Sequence, residues 1–224
     1  MNSLRTLLIV STTVLGCAAT AQAAAEYRYN IAVVNDFVFR GISQSDNHPA
    51  LQGGAEYRHS GGLYAGLWGS TQDVPNNSAH LRADAYGGFA YQDRSGFSFD
   101  IGARAYTNAL VYPGQDRDGF WELYGGFGWA GFSTMVYRDF DEKETYAEAN
   151  WKYDIGSGVN LKLHLGHYFL KGPRPTGGDY TDYSVGFSKM FNELEVEIAF
   201  ADTDQDPETD LNDTLFILSL KYHF

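Results

Sequence analysis

The last eleven residues restrict the fold more than any other stretch of the chain. From Thr214 to Phe224 they read Thr-Leu-Phe-Ile-Leu-Ser-Leu-Lys-Tyr-His-Phe. Phe216, Leu218, Leu220, Tyr222 and Phe224 occupy every second position, with Lys221 and His223 between them. Side chains alternate across an extended strand, so these five residues share one face, and no helix would collect them.

The same period of two recurs upstream. Leu194, Val196, Ile198 and Phe200 alternate with Glu195, Glu197, Ala199 and Ala201. Val159, Leu161, Leu163 and Leu165 alternate with Asn160, Lys162, His164 and Gly166. Ala147, Ala149, Trp151 and Tyr153 alternate with Tyr146, Glu148, Asn150 and Lys152, and Leu81, Ala83 and Ala85 with Arg82, Asp84 and Tyr86. Alternation alone also fits a soluble sandwich, whose apolar face is the inside. The connections decide between the two. About twelve strands are expected, at 27–40, 50–58, 63–71, 80–92, 97–107, 119–129, 132–140, 144–154, 159–169, 180–189, 194–202 and 213–224.

Between them, short turns (59–62, 93–96, 130–131, 155–158 and 190–193) interleave with mostly longer polar loops (41–49, 72–79, 108–118, 141–143, 170–179 and 203–212). Transmembrane barrels of the bacterial outer membrane have this asymmetry, with tight periplasmic turns and longer extracellular loops. The predicted fold is therefore an all-β, antiparallel, up-and-down transmembrane barrel. An even strand number puts both chain ends at the periplasmic rim. Phe224 and the apolar positions before it resemble the terminal signal read by the barrel-assembly machinery, the expected partner of the last strand.

The first segment predicts export. Arg5, the apolar run from Leu7 to Gly16 and the small residues of Ala21-Gln22-Ala23 form a signal peptide, with cleavage placed after Ala23. The run falls short of the roughly 20 residues a membrane-spanning helix needs. Val14-Leu15-Gly16-Cys17 partly resembles a lipoprotein cleavage box, although Leu15 fits it poorly. The domain plan is residues 1–23 as signal peptide and 24–224 as barrel, located in the outer membrane of a Gram-negative bacterium. Cys17 is the only cysteine, so the processed chain has no disulfide. Residues 1–23 hold Arg5 and no acid, so their removal takes the net charge from −12 to −13. That acidity excludes nucleic acid as a partner, since nucleic-acid binding wants basic surface.

Aromatic residues make up 16% of the chain and gather near strand ends: Tyr27 and Tyr29, Phe37 and Phe39, Phe89 and Tyr91, Trp129 and Phe132, Trp151 and Tyr153, Tyr222 and Phe224. Two aromatic girdles at the edges of an outer-membrane lipid layer are the expectation. If Tyr27, Tyr29, Ile31, Val33, Phe37 and Phe39 face lipid, parity sends Asp36 and Arg40 inward at the outer rim. The same rule assigns Gln52, Glu56, Arg82, Asp84, Arg104, Glu122, Glu148, Lys152, Lys162 and His164 to the lumen. Ionisable groups at membrane depth are tolerated only where they meet water or each other.

Asn35-Asp-Phe-Val-Phe-Arg-Gly-Ile-Ser-Gln-Ser45 and the residues on to Gly54 resemble the signature of the TorF-type porin family, also called Gcw_chp proteins. The resemblance runs over essentially the whole chain and implies an exported outer-membrane barrel of porin type. It brings no known solute, and no catalytic or binding residues.

Function is expected to be passage of small solutes or cations through a narrow charged lumen, with no cofactor and no catalysis. Two alternatives stay open at this point. One is a closed barrel with a structural, adhesive or sensing role. The other is an outer-membrane lipid hydrolase, for which His164, His167, Ser184 and Ser188 lie on neighbouring strands without a nucleophile motif around either serine. Acidic residues concentrate in the longer loops (Asp139 to Glu144, Asp179 and Asp182, Asp202 to Asp213). Such loops suit a solvated surface, a cation-attracting vestibule, or bridging by divalent cations.

Overall fold

The computed structural model describes residues 25–73, 80–112, 115–170, 178–205 and 209–224, with the side chains of 108–118 left aside. The proposed signal peptide, Cys17 and parts of four of the expected long loops (72–79, 108–118, 170–179 and 203–212) lie outside the described residues. Twelve strands form a closed antiparallel barrel: β1 (Glu26–Val34), β4 (Ala50–Arg58), β5 (Leu63–Thr71), β6 (Leu81–Gln92), β7 (Ser98–Tyr112), β8 (Gln115–Trp129), β9 (Phe132–Arg138), β10 (Thr145–Gly156), β11 (Val159–Phe169), β12 (Tyr180–Phe191), β13 (Leu194–Thr203) and β14 (Leu215–His223). Two short strands, β2 (Val38–Phe39) and β3 (Ile42–Ser43), form a separate hairpin.

Closure comes from β1, which pairs with β4 on one side (Tyr27↔Tyr57 to Val34↔Ala50) and with β14 on the other (Asn30↔His223 to Val34↔Ser219). The N–H of Phe224 donates to the Tyr29 carbonyl at 3.0 Å, so the chain's last residue is stitched to the first strand. A closed sheet leaves no unpaired backbone edge, which is the condition for placing strands in hydrocarbon.

The outward positions are those that parity named. Tyr27, Tyr29, Ile31 and Val33 on β1, Ile198 and Phe200 on β13, and Phe216, Leu218, Leu220 and Tyr222 on β14 are exposed, and their neighbours in sequence turn inside. Lys189, an outward charge, sits beside the 190–193 turn with its ammonium 5.5 Å from the Phe191 ring, at the end of its strand where a long side chain reaches past the apolar face. The short turns are tied locally. Asp93 accepts bonds from the Ser95 N–H, the Ser95 hydroxyl and the Phe97 N–H, and these hold its carboxyl below the usual carboxylate range.

Two stretches differ from the sequence reading by more than two residues. The expected 108–118 loop is largely strand, because β7 and β8 stay paired through Ala109↔Arg117 and Tyr112↔Gln115. The predicted 27–40 strand stops at Val34. Phe37 is buried and Phe39 half-buried inside the barrel, so neither belongs to a lipid-facing girdle.

The break at the end of β1 has a local cause. Asn35 donates its side-chain amide to the Phe216 carbonyl at 2.8 Å and accepts from the Leu218 N–H, while its own N–H bonds the Leu218 carbonyl at 3.1 Å. Asn35 thus continues the pairing with β14 through its side chain and frees the backbone to turn into the lumen.

Inside, tyrosine rings occupy space that inward glycines on adjacent strands leave open. A Cβ on Gly102 would stand 2.5 Å from the Tyr124 ring, and one on Gly66 would overlap Tyr86. Each glycine is in register with the tyrosine that covers it, and an overpacked site of this kind costs about 1–3 kcal/mol. We predict that Gly66→Val and Gly102→Val each lower barrel stability by that order. Gly125→Ala, whose Cβ would meet nothing closer than 3.5 Å, should leave it unchanged. Urea midpoints followed by heat-modifiable gel migration would measure this, and equal midpoints for all three variants would contradict the packing account.

Candidate functional site

The segment that leaves the wall at Asn35 folds across the lumen. Arg40 (φ +50°) and Gly41 (φ +78°) form the two-residue turn between β2 and β3, in which Phe39 pairs with Ile42. Positive φ at both central residues is the turn geometry that suits tight hairpins. A side chain at position 41 would be excluded twice over, since its Cβ would come within 2.7 Å of the Asp182 Cβ and 3.1 Å of the Thr203 Cβ.

The base of the hairpin is stapled by Asp36, whose Oδ1 accepts from the hydroxyls of Ser43 (2.6 Å) and Ser45 (2.9 Å). Burial pushes the Asp36 carboxyl above the usual carboxylate range, and the two hydroxyls draw it part of the way back. Ser43 also donates its N–H to Leu211, and the side chain of Asn47 donates to Asp210, so the 209–214 loop clasps the hairpin from above.

At the tip, the Arg40 guanidinium meets the far wall. Its two terminal nitrogens donate to the two carboxylate oxygens of Glu122 on β8, at 2.9 and 2.7 Å, and both side chains are buried. Its central carbon lies 4.3 Å from the ring centre of Tyr146, 5.1 Å from Tyr168, 5.2 Å from Tyr137 and 4.9 Å from its own neighbour Phe39. Tyr180 donates its hydroxyl to the Arg40 carbonyl at 3.1 Å. These partners stand on β8 to β12. In the circular strand order β9 lies opposite β1, so the hairpin spans the lumen from side to side.

A second cluster lies beside it. Arg82 bonds Asp84 through Nε (3.0 Å) and a terminal nitrogen (3.1 Å), and Arg104 reaches the same carboxylate at 3.1 Å. Phe39 lies flat against Arg82, 4.0 Å from ring centre to guanidinium carbon. Tyr106 stands between the two clusters and donates to Glu122 at 2.7 Å.

The tyrosines form a belt of phenol–carboxylate pairs around the interior. Tyr64 donates to Asp100, Tyr86 to Glu56, Tyr106 to Glu122, Tyr137 to Glu148, Tyr146 to Asp182 and Tyr168 to Glu144. From Tyr124 to Tyr180 consecutive rings touch, with centres 5.6–6.1 Å apart.

Of the sequence-predicted lumen residues, Arg40, Arg82, Asp84, Arg104 and Glu122 converge around Tyr106. Glu148 and His164 lie on the adjoining wall, where His164 contacts Asn150 at 2.8 Å and Asp182 at 2.9 Å. Glu56 pairs with Arg58. Lys152 stands directly across from Lys162, which bonds Glu197 at 2.6 Å near the short-turn rim. Gln52 is half-buried in register with Ser70. Asp36 and Arg40 do not act together at the outer rim. Asp36 stays at the hairpin's base and Arg40 crosses to Glu122, because the chain between them has left the strand.

Sequence reading missed the tyrosine belt, Arg58 and the partners of His164. Their signal was present as tyrosines at inward parity on β5 to β12.

Neither proposed serine is bonded to a histidine in the hydrogen bonds described. Both His164 ring nitrogens face Asn150, Asp182 and Tyr146, and His167 faces Thr181. Loop carboxylates serve largely as backbone acceptors, with Asp139 capping the N–H groups of Asp141 and Glu142, and Asp204 that of Thr181. Among the described residues no three His, Cys, Asp or Glu side chains gather as a metal site.

Residues 18–221 match the profile of Gcw_chp, described as a bacterial protein of unknown function. The chain belongs to that family. Among curated proteins no sequence matches. Among solved structures the chain is similar to the KdgM porin, with a TM-score of 0.58 and 10% identity over 90% of this chain and 99% of that one. A KdgM porin in complex with disordered oligogalacturonate gives 0.56, at the same identity and coverage. A TodX deltaS2S3 mutant monoaromatic hydrocarbon channel gives 0.51 at 9% identity, over 91% of this chain and 89% of that one. At these identities the likeness is one of fold.

Removing one partner of a buried ion pair leaves an uncompensated charge, which costs about 3–5 kcal/mol. Arg40→Ala and Glu122→Ala are each predicted to destabilise the barrel by that order, and Arg40→Lys to restore little, because an ammonium cannot form the two-pronged bond. The double variant should lose clearly less than the sum. Additive losses in urea unfolding would show that the pair does not hold the hairpin.

Proposed function

We propose that the protein is a porin-like channel of the Gram-negative outer membrane, whose charged lumen is held shut by the 36–45 hairpin and passes small polar solutes or ions when the hairpin is displaced. The observation that carries this reading is the hairpin itself. It crosses a lumen lined by ionisable groups, and at its tip it is fastened by side-chain contacts alone.

Support comes from three directions. The outward surface is apolar and the barrel has no free edge, which suits a lipid environment. The KdgM porin and the TodX channel share the fold, and the Asn35–Gly54 resemblance to TorF-type porins agrees with them. Twelve strands also lie between barrels that side chains fill and barrels with wide pores, so a single hairpin is large enough to shut the lumen.

The lumen-lining roles follow from this reading. Arg40 and Glu122 are the latch. Arg82, Asp84 and Arg104 line the path beside it, and Glu148, His164, Lys152 and Lys162 line the wall toward the short turns, with Glu56 and Gln52 on the opposite side. Surplus acid in the long loops favours cations at the outer mouth. The β14 strand ending at Phe224 is the segment proposed to engage the barrel-assembly machinery.

A closed barrel with a structural or sensing role is the competing reading, favoured by the burial of Arg40, Glu122, Ile42 and Tyr168. Planar bilayers separate the two. Wild-type protein is expected to give small, infrequent current steps with cation preference. Arg40→Ala, and deletion of residues 38–43, are expected to give larger and longer ones, with heat-modifiable migration reporting that each variant is folded. Sealed bilayers for folded wild type and both variants, over a range of voltages, would exclude a channel.

A further inference from the structure

The wall that receives Arg40 surrounds its guanidinium with one carboxylate and three aromatic rings. We propose that it binds organic cations of the guanidinium class, and that Arg40 is a tethered occupant which such a solute displaces. This rests on the reading of the hairpin as a displaceable plug.

The argument begins with where the site's parts come from. Apart from Phe39, every group around the guanidinium belongs to the barrel wall: Glu122 on β8, Tyr137 on β9, Tyr146 on β10 and Tyr168 on β11. None of them depends on the hairpin for its position. Each ring is anchored by its hydroxyl to a wall or loop carboxylate: Tyr137 to Glu148 (3.5 Å), Tyr146 to Asp182 (3.0 Å) and Tyr168 to Glu144 (3.0 Å). The rings also rest on one another, Tyr137 against Tyr146 at 6.1 Å and Tyr146 against Tyr168 at 5.8 Å. Glu122 is oriented by the Tyr106 hydroxyl at 2.7 Å. The cage is therefore complete before any cation enters it.

Its chemistry selects the ligand. A carboxylate that meets two donors at once fits a planar fork, and three aromatic faces at 4.3–5.2 Å favour a weakly hydrated cation over a small, strongly hydrated one. The nearby cations do not satisfy Glu122 in place of Arg40. Arg82 and Arg104 are turned to Asp84, and His164 to Asp182 and Asn150. With Arg40 withdrawn, Glu122 is a buried carboxylate whose hydrogen bonds among the described residues come from Tyr106 alone, and such a group demands a counter-charge. Anionic solutes are rejected by the same group.

The test uses the full-length barrel with Arg40→Ala, and propylguanidinium, which reproduces the deleted side chain. In detergent, propylguanidinium should raise the heat-modification midpoint of Arg40→Ala at concentrations about tenfold below those at which sodium does so. It should act more weakly on wild type, whose site is filled, and should lose its advantage over sodium in Arg40→Ala/Glu122→Gln. In bilayers the same solute should reduce the Arg40→Ala current, and propionate should not. Arg40→Gln replaces the alanine variant if that one does not refold.

If propylguanidinium and sodium act alike on the folded Arg40 variant, or if Glu122→Gln leaves the preference intact, the site is not a cation site. The two readings fail separately. Binding in detergent with sealed bilayers removes the channel and keeps the site, while conduction without selective binding keeps the channel and removes the site.

Discussion

A barrel wall with an apolar outer face sends most strand charges to the interior, and the interior has to neutralise what it holds. That single constraint accounts for most of what is seen inside this barrel. An ionised group taken out of water costs several kcal/mol unless it is matched in charge and hydrogen-bonded. Each buried carboxylate near the belt accordingly has a cation, a phenol or both: Glu122 takes Arg40 and Tyr106, Asp84 takes Arg82 and Arg104, and Asp182 takes His164 and Tyr146. Tyrosine suits the task because it carries apolar volume to fill the lumen and a hydroxyl to meet a carboxylate. Arginine suits it because its flat faces stack on rings while its edge bonds in the ring-free direction.

The same constraint explains how much of the structure could be read from sequence. Where the chain obeys alternation, parity located the outward and inward residues, and the strand count followed from the spacing of turns. Arg82, Asp84, Glu122, Glu148 and Lys162 sit inside because Ala83, Leu123, Ala149 and Leu163 must sit outside. Alternation carries no information about a strand that stops. Phe37 and Phe39 resume the odd-numbered apolar series of β1 after one polar position, Asn35, and a single break of that kind does not mark the end of a strand by alternation alone. The end is caused by one side chain, Asn35, which takes over the backbone's bonds to β14. The continuation of β7 and β8 through 108–118 is hidden for the opposite reason, since Pro113, Gly114 and the polar run Gln115 to Asp118 read as a loop.

The signature segment becomes intelligible once the hairpin is seen as one device. Asn35 releases the chain, and Asp36 with Ser43 and Ser45 ties the base. Phe37 and Phe39 cover Arg82, Arg40 reaches the far wall, Gly41 fits where a side chain would strike Asp182, and Ile42 is wholly buried. A non-glycine residue in the left-handed region costs about 1–2 kcal/mol, and Arg40 adopts it. The aromatic cage and the Glu122 bond offset that strain at the one position where the turn can aim a guanidinium across the barrel.

This arrangement also decides which part of the molecule is able to move. The wall cannot open, because each ladder hydrogen bond broken in hydrocarbon would leave two unsatisfied backbone groups with nothing to replace them. The hairpin is different. Between its tip and the far wall the contacts are an ion pair, stacked rings and a Tyr180 hydroxyl, all facing a lumen in which water or a solute can take over the lost bonds. A backbone ladder would have to be undone strand by strand, whereas on the proposed reading these side-chain contacts are exchanged for a solute of the same shape and charge. In the proposed channel the hairpin is accordingly the part that moves and the wall the part that stays.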